Sequence, residues 1–168
     1  VDFGWLTTSV QWQALDPDTG DLHVYRQLYR SQQLVADIAQ QCKDIEKIKD
    51  SRVVRYEAVV CDHDAEGRAQ LERVWQCSTQ AAHKAIREGV EAVTARFASR
   101  KGRRIWIHRG SLAHPPDTIL RKSGHPTELV DELLGYRFDD KKDGYPIKVN
   151  DHACDALRYG ICYWDGVS

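Results

Sequence analysis

The sequence contains no methionine, and its five cysteines do not form a recognisable framework. They are Cys42, Cys61, Cys77, Cys154 and Cys162. Their number is odd and no Cys-x-x-Cys pair occurs, which argues against a disulfide scaffold or a zinc ribbon and favours a reducing compartment. No apolar run approaches the ~20 residues of a membrane span, and the first residues do not resemble a signal peptide. We therefore expect a cytoplasmic protein with no membrane partner.

Neither sign of charge prevails, because 24 basic residues face 25 acidic ones and the formal net charge is -1. A protein that simply coats nucleic acid is strongly basic, so this balance argues against that class. It is compatible with an enzyme whose acidic side chains gather around metal ions. The 168 residues, 42% of them hydrophobic, suffice to bury the core of one domain spanning residues 1–168.

Hydrophobic periodicity predicts alternating strands and helices after an initial antiparallel meander. The predicted strands are 1–4, 9–15, 22–29, 56–61 and 104–108. The predicted helices are 34–49, 68–75, 80–99, 127–134 and 151–163. This order indicates an α/β fold with a mixed five-stranded sheet, three antiparallel strands followed by parallel ones, and helices on both faces. The arrangement resembles the RNase H-like fold.

Three acidic residues are placed where this fold would bring them together. Asp2 lies on the first strand, Asp62 directly follows the strand 56–61, and Asp155 lies in the last helix. Neighbouring first and fourth strands would set the first two carboxylates side by side, with the third delivered by the closing helix. Carboxylate oxygens suit hard cations, and two Mg²⁺ or Mn²⁺ ions ~3.5–4 Å apart can clamp a scissile phosphate.

Each acid also has a structural interpretation. Asp2 could be a surface residue, Asp62 a turn cap and Asp155 a solvated helix residue. However, Asp is depleted in strands, and the segment 62–66 holds three acids where a turn needs one. Asp155 is followed by Ala156 and Leu157, so only one side of it can be exposed. Together the three positions favour a metal site.

Four segments resemble the C-terminal nuclease domain of phage terminase large subunits. They are Val1–Trp5, Val59–Glu66, Thr79–Lys84 with Gly89, Val90 and Val93, and Val149–Tyr159. The last is the most specific, with its Asp-His-x-x-Asp-Ala-Leu-Arg-Tyr string. The resemblance covers nearly the whole chain.

The resemblance implies that Asp2, Asp62 and Asp155 bind metal. His152 would ligate metal, orient water or protonate the leaving oxygen, or it is a partly buried histidine with a structural role. The second choices as metal ligands are Asp64, Glu66 and Asp151. The segment 62–66 is one residue longer than the family's usual acidic loop, which leaves open which acid of that segment faces the metal. The candidate DNA-binding residues are Lys84, Arg103, Arg104, Arg121, Lys122 and Lys148, unless these basic residues form only a solvated face.

The implied function is an endonuclease that cuts double-stranded DNA by two-metal hydrolysis during viral genome packaging. No G-x-x-x-x-G-K-[ST] string occurs, so the ATPase domain of the large subunit is expected upstream of this chain. The expected partners are double-stranded DNA, that ATPase domain, the portal and the small terminase subunit, in the host cytoplasm of a phage or prophage. The alternatives are another RNase H-like nuclease, such as a junction resolvase or an RNA–DNA hybrid hydrolase, and a non-catalytic module that docks on DNA or the portal.

Overall fold

The computed structural model describes residues 1–49, 55–99, 104–142 and 145–167. The strands are β1 Thr8–Leu15, β2 Leu22–Arg30, β3 Val60–Cys61, β4 Gln80–Ala81 and β5 Ile105–Ile107. The helices are α1 Val35–Lys49, α2 Ala65–Trp75, α3 Ile86–Phe97, α4 Thr118–Lys122, α5 Leu129–Gly135 and α6 His152–Asp165. None of the described helices combines the length and the apolar character needed to cross a membrane.

The strands β1 and β2 form the predicted antiparallel hairpin, and β5 extends it on the other side of β2. The turn between β1 and β2 forms because Asp16 Oδ1 accepts a hydrogen bond from the Asp18 amide at 2.9 Å, while Gly20 supplies a positive φ of 73°. Strand β5 runs parallel to β2, with Leu22 opposite Ile105. The result is a mixed three-stranded sheet in the order β1-β2-β5.

The predicted five-stranded sheet is wrong, because the described strands form two sheets, one of three strands and one of two, β3 paired in parallel with β4. The N-terminal segment lies between them but contributes a single antiparallel bridge, from Asp2 to Ser9. It leaves β1 after that bridge, since the Thr8 hydroxyl donates to the Gly4 carbonyl at 3.0 Å and bends the chain there. Of the predicted strand 1–4, only Val1 and Asp2 form backbone hydrogen bonds with neighbouring described segments, Val1 beside β3 and Asp2 beside β1, and they do not form a regular strand.

Helices cover both faces, as predicted for this α/β class. On one face α1 and α2 pack through buried apolar side chains such as Ile38 and Leu71 against Val10 of β1. On the other face α6 packs against β2, with Leu157 in the same cluster as Val24. Helix α3 also packs against α6, and α6 crosses β1. The last helix is thus fixed over the middle of the molecule.

Three local predictions differ from the structure. The predicted strand 56–61 is too long, because only Val60–Cys61 forms a strand, β3. The predicted helix 80–99 is wrong at its start, because Gln80 N donates to the Val59 carbonyl at 3.0 Å and residues 80–81 become β4, with the helix beginning at Ile86. Helix α4 was not predicted. It follows two prolines and is capped by Asp117, whose Oδ1 accepts from the Ile119 amide at 2.9 Å.

Candidate active site

Asp2 and Asp62 lie on neighbouring segments that run in the same direction. The Val1 nitrogen donates to the Val60 carbonyl at 2.6 Å, and the Asp62 amide donates to the Val1 carbonyl at 3.0 Å. This is the slanted pattern of parallel pairing, and it sets Val1 opposite Cys61. Asp2 is therefore the register neighbour of Asp62, and both side chains lie at the same edge.

Helix α6 brings the third acid to this edge. Asp155 lies in its first turn and is 6% exposed. Burial raises the pKa of Tyr159, and the negative charges of Asp2, Asp155 and Asp62 raise it further. Tyr159 lies one turn after Asp155 and donates to Asp2 Oδ1 at 3.1 Å, so α6 places Asp155 beside the neighbouring segments of Asp2 and Asp62, although the three acids come from distant parts of the chain. Gln11 of β1 secures the helix by donating to the Ala153 carbonyl at 2.7 Å.

Asp2 is held by two side chains of α6. His152 Nδ1 lies 2.7 Å from Asp2 Oδ2, and the Tyr159 hydroxyl donates to Asp2 Oδ1 at 3.1 Å. Burial raises the pKa of Asp2, and the charge of Asp155 adds to the rise. The hydrogen bond to Asp2 raises the pKa of His152. Both shifts favour a proton between the carboxylate and the imidazole, so this pair carries less negative charge than an isolated carboxylate.

Asp155 is held by two cations of different character. Its Oδ1 accepts from Arg158 Nη2 at 3.0 Å and Nε at 3.2 Å, and its Oδ2 accepts from Lys148 Nζ at 3.0 Å. The Arg158 side chain is only 5% exposed, whereas that of Lys148 is 57% exposed. Lys148 Nζ also lies 3.1 Å from Asp151 Oδ2. One cation is thus part of the core and the other reaches in from solvent.

The first amides of α6 are capped by a buried glutamate from another helix, and not by Asp151, the residue at the N-cap position. Glu132 of α5 is 1% exposed, and its Oε2 accepts from the Ala153 and Cys154 amides at 2.7 and 2.9 Å. Its Oε1 accepts from the Tyr29 hydroxyl at 2.5 Å, and burial raises the pKa of Glu132 to about 7. Asp151 stands at the N-cap position and makes no side-chain cap bond. The carboxylate of Asp151 is therefore not engaged by the helix and belongs to the acidic site.

The remaining predicted acids of the segment 62–66, Asp64 and Glu66, lie at the N-terminus of α2. Asp64 is the N-cap of that helix and accepts from the Glu66 amide at 3.1 Å. Glu66 lies in its first turn, where a carboxylate stabilises the positive end of the helix dipole. Both side chains are exposed. The structure thus gives these two residues a capping role, and metal binding by them stays a prediction.

The predicted DNA-binding residues do not form one surface. Lys84 is exposed and follows β4, at the edge where Asp62 follows the parallel strand β3. Arg121 and Lys122 are exposed at the end of α4. Arg104 lies at the opposite end of the sheet from Asp2, since its carbonyl accepts from the Leu22 amide at the start of β2. Arg103 falls outside the described residues.

Three residues of the site were not singled out from the sequence. Arg158 and Tyr159 follow Asp155 by three and four positions, so helical spacing alone places them on its face. Glu132 precedes by 20 residues the helix that it caps, so no periodicity or short motif in the sequence predicts that contact. The first two could have been found from the sequence and the third could not.

The site contains carboxylate oxygens of the kind that bind hard cations, but among the described residues they are not arranged as a complete coordination shell. In the parts of the chain that the structure describes, no group of three or more His, Cys, Asp or Glu side chains is arranged to hold a metal ion. Carboxylate oxygens are nevertheless the ligands that Mg²⁺ and Mn²⁺ prefer. Asp151 Oδ2 is buried, and among the described residues it is offset by the Lys148 ammonium at 3.1 Å without a hydrogen bond of good geometry. The donor set therefore fits a divalent ion, provided that the basic partners of Asp155 and Asp2 give way.

Comparison with known proteins supports the fold. No protein-family model and no curated protein sequence matches the chain. Among solved structures, the large terminase of a thermophilic bacteriophage superposes with a TM-score of 0.68 in crystal form 3, at 19% identity over 96% of this chain. Crystal form 2 of the same terminase gives 0.67 at 20% identity over the same share. The P22 large terminase nuclease domain gives 0.60 at 18% identity over 95% of this chain and 76% of its own length.

These likenesses confirm the predicted resemblance at the level of the fold. The chain has the fold of the P22 large terminase nuclease domain and of a corresponding part of the thermophilic phage's large terminase. It spans only 38% of the form 3 chain and 37% of the form 2 chain of that terminase. Identities of 18 to 20% carry no assignment of activity by themselves. The function has to be argued from the site.

Proposed function

We propose that this chain is a metal-dependent endonuclease that cuts double-stranded DNA, as the nuclease domain of a terminase large subunit. The observation that carries the proposal is that Asp2, Asp62 and Asp155 come to one edge, because the segment of Asp2 pairs with that of Asp62 and Tyr159 of α6 donates to Asp2, on a fold shared with the P22 large terminase nuclease domain. Carboxylates gathered from separate segments are costly to fold, because like charges repel. Such a cost is typical of functional sites.

Asp2, Asp62 and Asp155 would hold two Mg²⁺ or Mn²⁺ ions, with Asp151 beside them. Bound there, such ions supply an activated water and offset the charge of the phosphate. The chain itself positions the other groups. His152, whose Nδ1 lies 2.7 Å from Asp2 Oδ2, stands at the same edge, where its imidazolium form would give a proton to the leaving oxygen. The N-terminus of α6 adds a positive dipole facing the same edge.

DNA would be held through its backbone. Lys84 is exposed at the edge that carries the acids, and Arg121 and Lys122 end a helix that begins near the end of β2. Contacts of this type read phosphates and not bases, so we expect cutting with little sequence preference. The ATPase domain, the portal and the small subunit complete the proposed packaging assembly in the host cytoplasm.

Plasmid relaxation tests the proposal directly. The purified chain is incubated with supercoiled plasmid and with linear duplex in Mg²⁺, in Mn²⁺ and in excess chelator. We expect cutting that needs the metal and is lost in Asp62→Asn, a variant that keeps the side-chain oxygen bonded to the His63 amide at 2.6 Å. Asp18→Asn, in the exposed turn between β1 and β2, is the matched control and should cut like the wild type.

One observation favours a second candidate, a non-catalytic module that docks on DNA or the portal. The carboxylates of Asp2 and Asp155 are already bonded within the chain, which is also what a purely structural cluster would show. The assay separates the two, because a docking module would bind duplex without cutting it under any metal. Cutting that persists in Asp62→Asn would refute the proposed site. Preference for four-way junctions or RNA–DNA hybrids over plain duplex would indicate another RNase H-like nuclease.

A further inference from the structure

Lys148 reaches the acidic site from solvent and pairs with two of its carboxylates. Its ammonium lies 3.0 Å from Asp155 Oδ2 and 3.1 Å from Asp151 Oδ2, so a single positive charge bridges two carboxylates. Burial lowers the pKa of Lys148, but the charges of Asp155 and Asp151 outweigh it and raise this pKa overall. A lysine in this position is a counter-ion that the chain supplies for its own acids.

The two oxygens of Asp155 are held in different ways. Oδ1 accepts two hydrogen bonds from the guanidinium of Arg158, whose side chain is 5% exposed and packed in the core. Oδ2 is held by Lys148, whose side chain is 57% exposed and reaches solvent. Moving the buried arginine would break core packing, whereas the lysine can leave by rotating its stem. Asp155 therefore presents Oδ2 as its exchangeable oxygen.

Asp151 depends on the same lysine as Asp155. Its Oδ2 is buried, lies within ion-pair distance of Lys148, and still has no hydrogen-bond partner among the described residues. Glu132 has taken over the capping of α6, so the carboxylate of Asp151 is not used by the helix. A buried carboxylate oxygen is costly unless a cation offsets it, and Lys148 is the cation that does so here, so a metal ion that displaced the lysine would have to take over this role.

We infer that Lys148 is a displaceable internal counter-ion, whose ammonium and a divalent metal ion exclude each other at Asp155 Oδ2. When the metal takes the oxygen, the released ammonium turns to a phosphate of the bound DNA. The inference rests on the proposed function, since it concerns the same acids. It adds that the lysine competes with metal and contacts DNA only when metal is bound.

Metal affinity tests the competition without using activity. Mn²⁺ binding is measured by isothermal titration for the wild type and for Lys148→Met, which keeps the aliphatic stem and removes the charge. We expect the variant to bind Mn²⁺ about fivefold more tightly, equivalent to ~1 kcal/mol. Lys148→Arg keeps a cation and should bind like the wild type. Lys47→Met, which removes an exposed lysine of α1 paired with Asp44, is the matched control and should leave the affinity unchanged.

DNA binding tests the second half of the inference. The affinity for a short duplex is measured against salt concentration, with Ca²⁺ and with chelator. With Ca²⁺, Lys148→Met should reduce the slope of log affinity against log salt by about 0.9, the value for one lost phosphate contact. With chelator the slope should not change, because the lysine is then engaged by Asp151 and Asp155.

The outcomes separate the inference from the proposed function. If wild type and Lys148→Met bind Mn²⁺ equally, or the variant binds it more weakly, the competition is refuted while the metal site stands. If neither protein binds Mn²⁺, the proposed metal dependence falls and the inference with it. A change of salt slope that is the same with and without Ca²⁺ refutes the metal-dependent release of the lysine.

Discussion

Glu132 offers a sharp test of the energetics of this structure. It is 1% exposed, it caps α6 through the Ala153 and Cys154 amides, and it accepts from the Tyr29 hydroxyl. In Glu132→Gln the amide oxygen can accept from the same two amides, and the amide nitrogen can donate to the tyrosine oxygen. The variant therefore reproduces the protonated form of the glutamate while removing its charge.

Burial raises the pKa of Glu132 from 4.5 to about 7, and the sign of the effect on stability follows from that rise. The folded state binds the proton more tightly than the unfolded state, so the stabilisation is complete below pH 4.5 and is lost as the pH rises through 7. A rise of this size corresponds to roughly 3 kcal/mol at full ionisation. Glu132→Gln should match the wild type in acid and exceed its free energy of unfolding by about 2–3 kcal/mol at pH 8.

Urea unfolding between pH 5 and 8 measures this difference, followed by tryptophan fluorescence. The gap between Glu132→Gln and the wild type should widen by about 2 kcal/mol across that range, since most other groups titrate alike in both proteins. Glu88→Gln, exposed on α3, should follow the wild type at every pH. A gap that stays constant with pH, or a variant that is less stable at pH 8, would refute the argument.

Of three further perturbations, two test the surroundings of the site and one tests a buried ion pair at the other end of the sheet. Asp2→Asn should lower the pKa of His152 toward its ordinary value, and NMR titration of the imidazole measures this change. The stability that the wild-type pair contributes is present below pH 6.5 and is lost as the pH rises through the raised pKa of His152. An unchanged titration would contradict the 2.7 Å contact. Arg96→Met should lower the free energy of unfolding by about 3 kcal/mol, because it removes the buried guanidinium that pairs with Asp165 at 2.6 Å. A free energy of unfolding equal to that of the wild type within experimental error would refute this expectation. Gly4→Ala should reduce cutting at least tenfold, a factor worth ~1.4 kcal/mol of transition-state binding, since its Cβ would stand 2.5 Å from the Thr7 carbonyl oxygen and 2.7 Å from His152 Cε1 and would displace the segment that carries Asp2. Wild-type turnover would refute it.

The sequence predicted those elements that local pattern specifies. Alternating side chains gave β1 and β2, and helical spacing gave α1 and α6 nearly to their ends. It could not give β4, because two residues carry no period and Gln80–Ala81 is a strand only through its pairing with β3. It could not reveal that the N-terminal segment leaves the sheet after one bridge, since that depends on where the Thr8 hydroxyl finds a partner.

The candidate site was predictable in its acids and not in their partners. Placing Asp2, Asp62 and Asp155 at one edge requires only the order of the strands and a closing helix. The cation that each carboxylate takes depends on side-chain geometry, as with Arg158 and Lys148 dividing the two oxygens of Asp155 between them. Chain order carries no information on that division.

The distribution of partners explains how a chain can fold around several carboxylates and still leave them usable. Crowded carboxylates would repel one another, so each needs a positive or donating neighbour before any metal arrives. Arg158 and the Tyr159 hydroxyl are buried and fix the geometry, whereas Lys148 and His152 are partly exposed and can be displaced. Fixed partners on one side and exchangeable partners on the other allow the same acids to be satisfied during folding and to remain open to a ligand afterwards.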